Sequence, residues 1–204
     1  MALTANHPSC ATVRSTRFAE RLAASRIIGI EIQDGLAEVA AARGIEIPSR
    51  DLNAPLEIPD RAVDVAVANQ VIEHLYDTDQ FVRQLHRVLK PGGLAVISTN
   101  NLASWHNILA LILGAQPFPA DVSSNSALGK LFGLFPGDAG SYSSWTHLRI
   151  FSPRALREML EYHGFAVERI RGIGYYPLPT TLAQRIADRA PRHAAYLTVT
   201  CSRR

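Results

Sequence analysis

From Arg26 onward, short apolar runs alternate with amphipathic stretches. Arg26-Ile-Ile-Gly-Ile-Glu-Ile32 is a short apolar run with an acid near its end, the pattern of a buried parallel strand. Gly35 to Arg43 then sets Leu36, Val39 and Ala40 at helical spacing, with Gly44 as the stop. Ile45-Glu-Ile47 predicts a short strand leading to Asp51, and Pro55 and Pro59 punctuate a loop. Ala62-Val-Asp-Val-Ala-Val-Ala68 predicts a further buried strand. Over Thr78 to Lys90, Phe81, Leu85, Val88 and Leu89 share one helical face. Pro91-Gly92-Gly93 stops that helix, and Leu94-Ala-Val-Ile-Ser98 predicts the next strand.

Residues 100–146 break the alternation. They hold Trp105, Trp145, many Ser, Gly and Pro, and the apolar stretch Ile108–Leu113, which predicts a buried or lid helix. An insertion after a strand's carboxyl end would cover the crevice where such sheets bind ligands. Ser152 and Pro153 then supply the N-cap and first position of a helix, with Leu156, Met159 and Leu160 inward and Gly164 at its end. Phe165–Ile170 and Ala195–Thr200 predict a closing antiparallel strand pair joined by a Gly- and Pro-containing linker. Phe18 to Ala24 has helical spacing, whereas residues 1–16 read as irregular and Met1–Cys10 offers no apolar strand to sit mid-sheet. The whole predicts one α/β domain over 1–204: a Rossmann-like, mostly parallel sheet, helices on both faces, and a lid.

Composition narrows the function classes. With 204 residues, 47% hydrophobic and 19% charged, the chain can bury a sizeable core and is not of disordered type. The net charge of +3 owes much to Arg14, Arg17, Arg21, Arg203 and Arg204 near the ends, a solvated surface rather than a nucleic-acid stripe. Two distant cysteines, Cys10 and Cys201, make neither a disulfide framework nor a metal motif, which suits a reducing cytoplasm. No basic n-region with a long apolar stretch opens the chain, so no signal peptide is expected. Ile108–Leu113 is far shorter than the ~20 residues that span a bilayer, though it could touch a membrane surface.

Three segments carry a family likeness in combination: Arg26–Ile32, Val63-Asp-Val-Ala-Val-Ala-Asn-Gln-Val-Ile-Glu-His-Leu75, and His86-Arg-Val-Leu-Lys-Pro-Gly-Gly-Leu94. With His147–Leu156 and Tyr162–Phe165 they resemble class I S-adenosylmethionine-dependent methyltransferases, in the small-molecule branch that includes ubiquinone-type O-methyltransferases. The resemblance covers about residues 17–172. It implies S-adenosyl-L-methionine as cofactor and a small-molecule acceptor, and it assigns roles by position. Glu31, followed by Ile32, would accept the ribose hydroxyl hydrogens. Asp51 with Leu52 would flank the adenine, Asn69 and Gln70 would face the methionine part, and His74, in the following turn, joins the cofactor-binding group. The competing readings are a solvated strand-end acid at Glu31, a turn-forming Asp51 and a packed helix-start His74.

One element departs from the family. The positions of the glycine-rich loop fall near Thr12, Arg14 and Thr16, where a close, positive-φ backbone favours glycine and β-branched side chains fit poorly. That mismatch suggests an altered N-terminus, and it sets beside the enzyme a rival: a methyltransferase-like remnant or interaction module with weak or no cofactor binding. For catalysis, methyl transfer needs alignment above all, with a base only where the acceptor loses a proton. His74, His106 and His147 are the substrate-side histidines; His147, with Arg149, matches a family His-x-Arg feature and is the candidate base or orienter. A backbone-bonded histidine at the lid hinge is the alternative. Trp105, Phe118, Tyr142 and Trp145 could line an acceptor pocket or simply pack. No nucleophile elbow and no metal-ligand cluster is visible in the sequence.

Overall fold

The computed structural model of the chain describes residues 2–3, 26–123, 128–131 and 147–204. Among them, seven strands form one sheet in the order β3-β2-β1-β4-β5-β7-β6. The strands are β1 (Ala2–Leu3), β2 (Ile28–Ile30), β3 (Glu46–Ser49), β4 (Val63–Asn69), β5 (Leu89–Asn100), β6 (Phe165–Ile173) and β7 (Tyr196–Arg203). Neighbours from β3 to β5 pair in parallel, and β7 runs antiparallel to both β5 and β6. The helices are α1 (Asp34–Ala41), α2 (Thr78–Val88), α3 (Trp105–Ile112), α4 (Pro153–Tyr162) and α5 (Thr180–Arg189), and they cover both faces of the sheet.

The expected devices appear at the helix ends. Asp77 Oδ1 accepts the Gln80 amide at 2.7 Å and opens α2, whose Phe81, Val82, Leu85 and Val88 are all fully buried. Each such side chain contributes roughly 1.5–3 kcal/mol by leaving water. Ser152 Oγ accepts the Ala155 amide at 3.3 Å, with Pro153 in the first turn of α4. Gly44 and Gly164, past α1 and α4, take φ of 78° and 89°. The α2 and α4 faces join β2, β4 and β5 in the main core, while α5 packs Ala183 and Ala187 with Tyr175 and Ala194 in a smaller one.

Four expectations are corrected. Residues Ala2–Leu3 do form a strand at mid-sheet, pairing with Gly29 and Ile30 on one side and Val67 and Ala68 on the other. Two residues are too few to show an apolar pattern, so the ladder rather than the sequence reveals them. Lys90–Gly93 are not a break between helix and strand: β5 begins at Leu89, and its register jumps from Val63↔Leu89 to Val65↔Leu94. The linker between β6 and β7 holds α5. Finally, α3 is not buried all round, since Ile108, Leu111 and Ile112 are exposed. The expected helix at Phe18–Ala24 and much of the lid lie outside the described residues. No helix among the described residues is long and apolar enough to cross a membrane.

Candidate cofactor and catalytic site

β1 stands between β2 and β4, so the strand order turns back there. In parallel α/β sheets such a switch point opens a crevice at the carboxyl ends of the strands. The predicted residues stand at those ends. Glu31 directly follows β2 and is 2% exposed, and its Oε1 accepts the Gln33 amide at 3.0 Å. Ile32 beside it is half exposed. After β3, Asp51 Oδ1 accepts from the Asn53 amide at 2.8 Å and from Asn53 Nδ2 at 3.1 Å, while Leu52 is buried. Asn53 Oδ1 in turn accepts the Tyr76 amide at 2.9 Å, tying this turn to the segment after β4.

At the end of β4 the backbone is under constraint. Gln70 has φ of 53°, a left-handed conformation that costs a non-glycine residue on the order of 1–3 kcal/mol. Hydrogen bonds hold it there. Its amide N–H donates to Ser98 O at 3.0 Å. Its side-chain amide, oriented so that both ends are satisfied, donates to Glu73 Oε1 at 3.0 Å and accepts from the Thr99 amide at 3.2 Å. Ser98 Oγ donates to Asn69 Oδ1.

A short 3₁₀ turn, Ile72–His74, follows. Glu73 is fully buried within it, with Thr99 Oγ1 donating to Oε2 at 2.9 Å. Burial pushes its carboxyl up to about 7, partly offset by hydrogen bonds, that from Thr99 among them. The Glu73 carbonyl accepts the amides of Leu148 (2.7 Å) and Arg149 (3.1 Å), where the lid returns to the fold. His147 is thereby set against His74, ring centroids 4.9 Å apart. Its Nδ1 lies 3.0 Å from Pro119 O and its Nε2 3.2 Å from Asn100 Nδ2. A carbonyl only accepts and an amide nitrogen only donates, so Nδ1 carries the proton and Nε2 accepts. Near the ring, Asp121 and Lys130 form a buried ion pair.

Among the described residues, Glu73, His74 and His147 form a group with ligand-type atoms within 4.8 Å of one another. Glu73 Oε2 is bonded to Thr99, and the His147 nitrogens to Asn100 and Pro119. His106 is 4% exposed, and burial pushes its imidazole down to about 4. Trp105 packs against the smaller core, and Phe118 lies under Lys130 Nζ, 5.3 Å from the ring centre. Tyr142, Trp145 and the loop positions Thr12, Arg14 and Thr16 lie outside the described residues.

The residues present fit an adenosyl cofactor. A water-shielded carboxylate closing β2 is an acceptor-only group suited to a ribose diol, and buried Leu52 supplies an apolar neighbour to Asp51. Sequence reasoning missed Thr99 and Asn100 as site residues. The signal was available: β5 passes from Ala95-Val-Ile97 to the polar run Ser98-Thr-Asn-Asn101 at the crevice end. It gave no sign of the buried Glu73–Thr99 bond, which joins two strands' ends through the fold.

Comparison with known proteins agrees with this geometry. A family model described as a methyltransferase domain matches residues 7–97. A probable S-adenosylmethionine-dependent methyltransferase of Mycolicibacterium smegmatis is 44% identical over 79 residues, covering 38% of this chain and 31% of that protein. The mitochondrial ubiquinone biosynthesis O-methyltransferase of Rattus norvegicus is 27% identical over 114 residues, covering 56% of this chain and 28% of that one. The chain therefore spans less than a third of the length of these curated relatives. A solved S-adenosylmethionine-dependent methyltransferase from Methanosarcina mazei shares the fold with a TM-score of 0.63 at 16% identity, over 99% of this chain and 90% of that one. Strand order, matched segment and relatives point the same way: residues 7–97 are similar to a methyltransferase domain, and the fold is that of solved S-adenosylmethionine-dependent methyltransferases.

Proposed function

We propose that this chain transfers a methyl group from S-adenosyl-L-methionine to a small-molecule acceptor in the cytoplasm. The observation that carries this reading is the buried Glu31 carboxylate at the switch-point end of β2. When bound, the cofactor supplies an electrophilic methyl group on a sulfonium. The chain's part is to hold and orient. Glu31 accepts the ribose hydroxyl hydrogens, and Ile32 and Leu52 flank the base. Asp51, with Oδ1 fixed by Asn53, keeps Oδ2 for an exocyclic amine. Asn69 and Gln70 hold the methionine end, beside His74. His147, with Nδ1 tied to Pro119 O, directs Nε2 as the acceptor of a substrate proton, taking over from the Asn100 amide. Such a base is of use with a hydroxyl acceptor, the O-methylation named for the ubiquinone-type relative.

Calorimetry with S-adenosylmethionine and its demethylated product tests the reading. Micromolar binding that Glu31→Ala weakens is expected. Millimolar binding, about 4 kcal/mol weaker, would overturn it and favour a non-catalytic module.

A peripheral contact with a membrane surface is supported by one further observation. Ile108, Leu111, Ile112 and Leu113 leave an apolar face of α3 and its end in solvent, with Val122 also exposed. Vesicle co-sedimentation tests this; protein that stays in the supernatant with both neutral and anionic vesicles removes it.

A further inference from the structure

We propose that Glu73 is a positioning residue that couples the cofactor end of β4 to the returning lid segment. The inference rests on the proposed methyl transfer only for its cofactor readout. Glu73 is fully buried, and its carboxyl oxygens are met by protein donors rather than left to a ligand. Its two oxygens are instead divided between two strand ends: Oε1 takes the Gln70 side-chain amide at 3.0 Å, and Oε2 takes the Thr99 hydroxyl at 2.9 Å. Gln70 depends on this bond because its φ of 53° is intrinsically unfavourable and must be held by its surroundings. The main chain of the same residue faces the other way. Its carbonyl takes the amides of Leu148 and Arg149, at 2.7 and 3.1 Å, and these two residues directly follow His147. A shift of one short turn therefore moves the cofactor crevice and the candidate base together. Coupling through a single hydrogen-bonded residue of this kind needs no movement of the sheet.

The donor and acceptor pattern makes the idea separable from mere stability. In Glu73→Gln, one acceptor oxygen becomes an NH₂ that only donates. Either it faces Gln70, which must then turn its own NH₂ against the Thr99 N–H, or it faces Thr99 Oγ1, whose hydroxyl must turn from donor to acceptor. Adding Gln70→Glu restores every acceptor: its carboxylate takes both the amide at position 73 and the Thr99 N–H. The single variant should disturb the network and the exchanged pair should repair it, at constant net charge for the pair.

Two readouts apply to the full chain: hydrogen exchange at the Leu148 and Arg149 amides, and calorimetric affinity for S-adenosylhomocysteine. Glu73→Gln is expected to speed exchange at both amides and to weaken nucleoside binding, each by about tenfold, within the usual range of coupling between sites. Gln70→Glu with Glu73→Gln should return both to within about threefold of the parent. Thr99→Val, which removes one donor and little volume, serves if Glu73→Gln does not fold; it should speed exchange at the same two amides and leave β7 amides unchanged. Unchanged exchange at Leu148 and Arg149 in the single variants, or an exchanged pair no better than Glu73→Gln, would overturn the proposal. If the parent binds no S-adenosylhomocysteine, the methyltransferase reading fails while the exchange measurements still decide the role of Glu73.

Discussion

His74 and His147 lie ring to ring, with centroids 4.9 Å apart and planes tilted by 35°. The contact brings the turn after β4 against the point where the lid re-enters the fold. It also presents the Nε2 edge of His147 toward Asn100, with the Nδ1 proton already committed to Pro119 O. His147→Asn should therefore lower turnover by about 100-fold, the low end for a lost general base. Cofactor affinity should change by no more than about threefold, since what the cofactor side loses is the ring contact to His74. Steady-state kinetics with calorimetry on the same variant checks both numbers, and undiminished turnover would leave His147 a hinge residue.

Stability should respond to pH through two buried groups of opposite sign. Glu73 is raised from 4.5 to about 7, so the native state holds its proton more tightly than the unfolded chain. Its contribution is fully present below about 4.5 and is lost as pH rises through about 7. His106 is lowered from 6.5 to about 4, so its contribution is present above 6.5 and is lost as pH falls through about 4. The two slopes oppose each other between about 4.5 and 6.5. In Glu73→Gln the histidine slopes remain there, that of His106 and the same-signed one of His86, also lowered by burial, and urea midpoints should fall steadily from pH 6.5 to pH 4.5, more steeply than in the parent. Equal slopes in the two proteins would contradict the assignment to Glu73.

The irregular start of β5 should tolerate no side chain at Gly93. A Cβ there would sit 2.8 Å from Lys90 O and 3.2 Å from Asp64 O, both backbone atoms with little freedom to move. Gly93→Ala is expected to cost about 1–3 kcal/mol, the range for overpacking. Gly92→Ala meets no neighbour but must adopt φ of 75°, so it should destabilise by roughly 1 kcal/mol. Chemical denaturation of the two variants separates the steric effect from the conformational one.

On α3, Leu111→Glu and Ile112→Glu together should leave stability within about 0.5 kcal/mol, because both side chains already stand in solvent. The same pair should abolish any association with vesicles. A large loss of stability would mean that this face is covered within the chain.

Most strands and helices, β1 and α5 apart, were legible because their signals are local. Phe81, Leu85 and Val88 fall on one face of α2 whatever surrounds them, and Gly44 and Gly164 stop helices at the positive φ their sequence position implies. α5 was hidden because its inward residues are Ala183 and Ala187, which carry little hydrophobic signal, while Leu182 points to solvent. At the site, Glu31, Asp51, Asn69 and Gln70 were placed by resemblance, and the strand ends put them along the crevice. The burial of Glu73 was not readable. It depends on Thr99 from β5 and on Leu148 and Arg149 from beyond the lid, contacts between chain segments that sequence pattern does not relate.

The two-residue length of β1 has a practical consequence. Among the described residues, β2 and β3 reach the rest of the hydrogen-bond ladder through Ala2 and Leu3. Glu31 thus stands on a strand pair whose place in the ladder depends on the short β1, although its side chains share the main core. Leu3→Pro, which removes a ladder N–H, would act at that seam. It could unfasten the sugar-binding wall while β4 to β7 remained folded, and a preparation would look intact by bulk spectroscopy yet fail to hold a nucleoside.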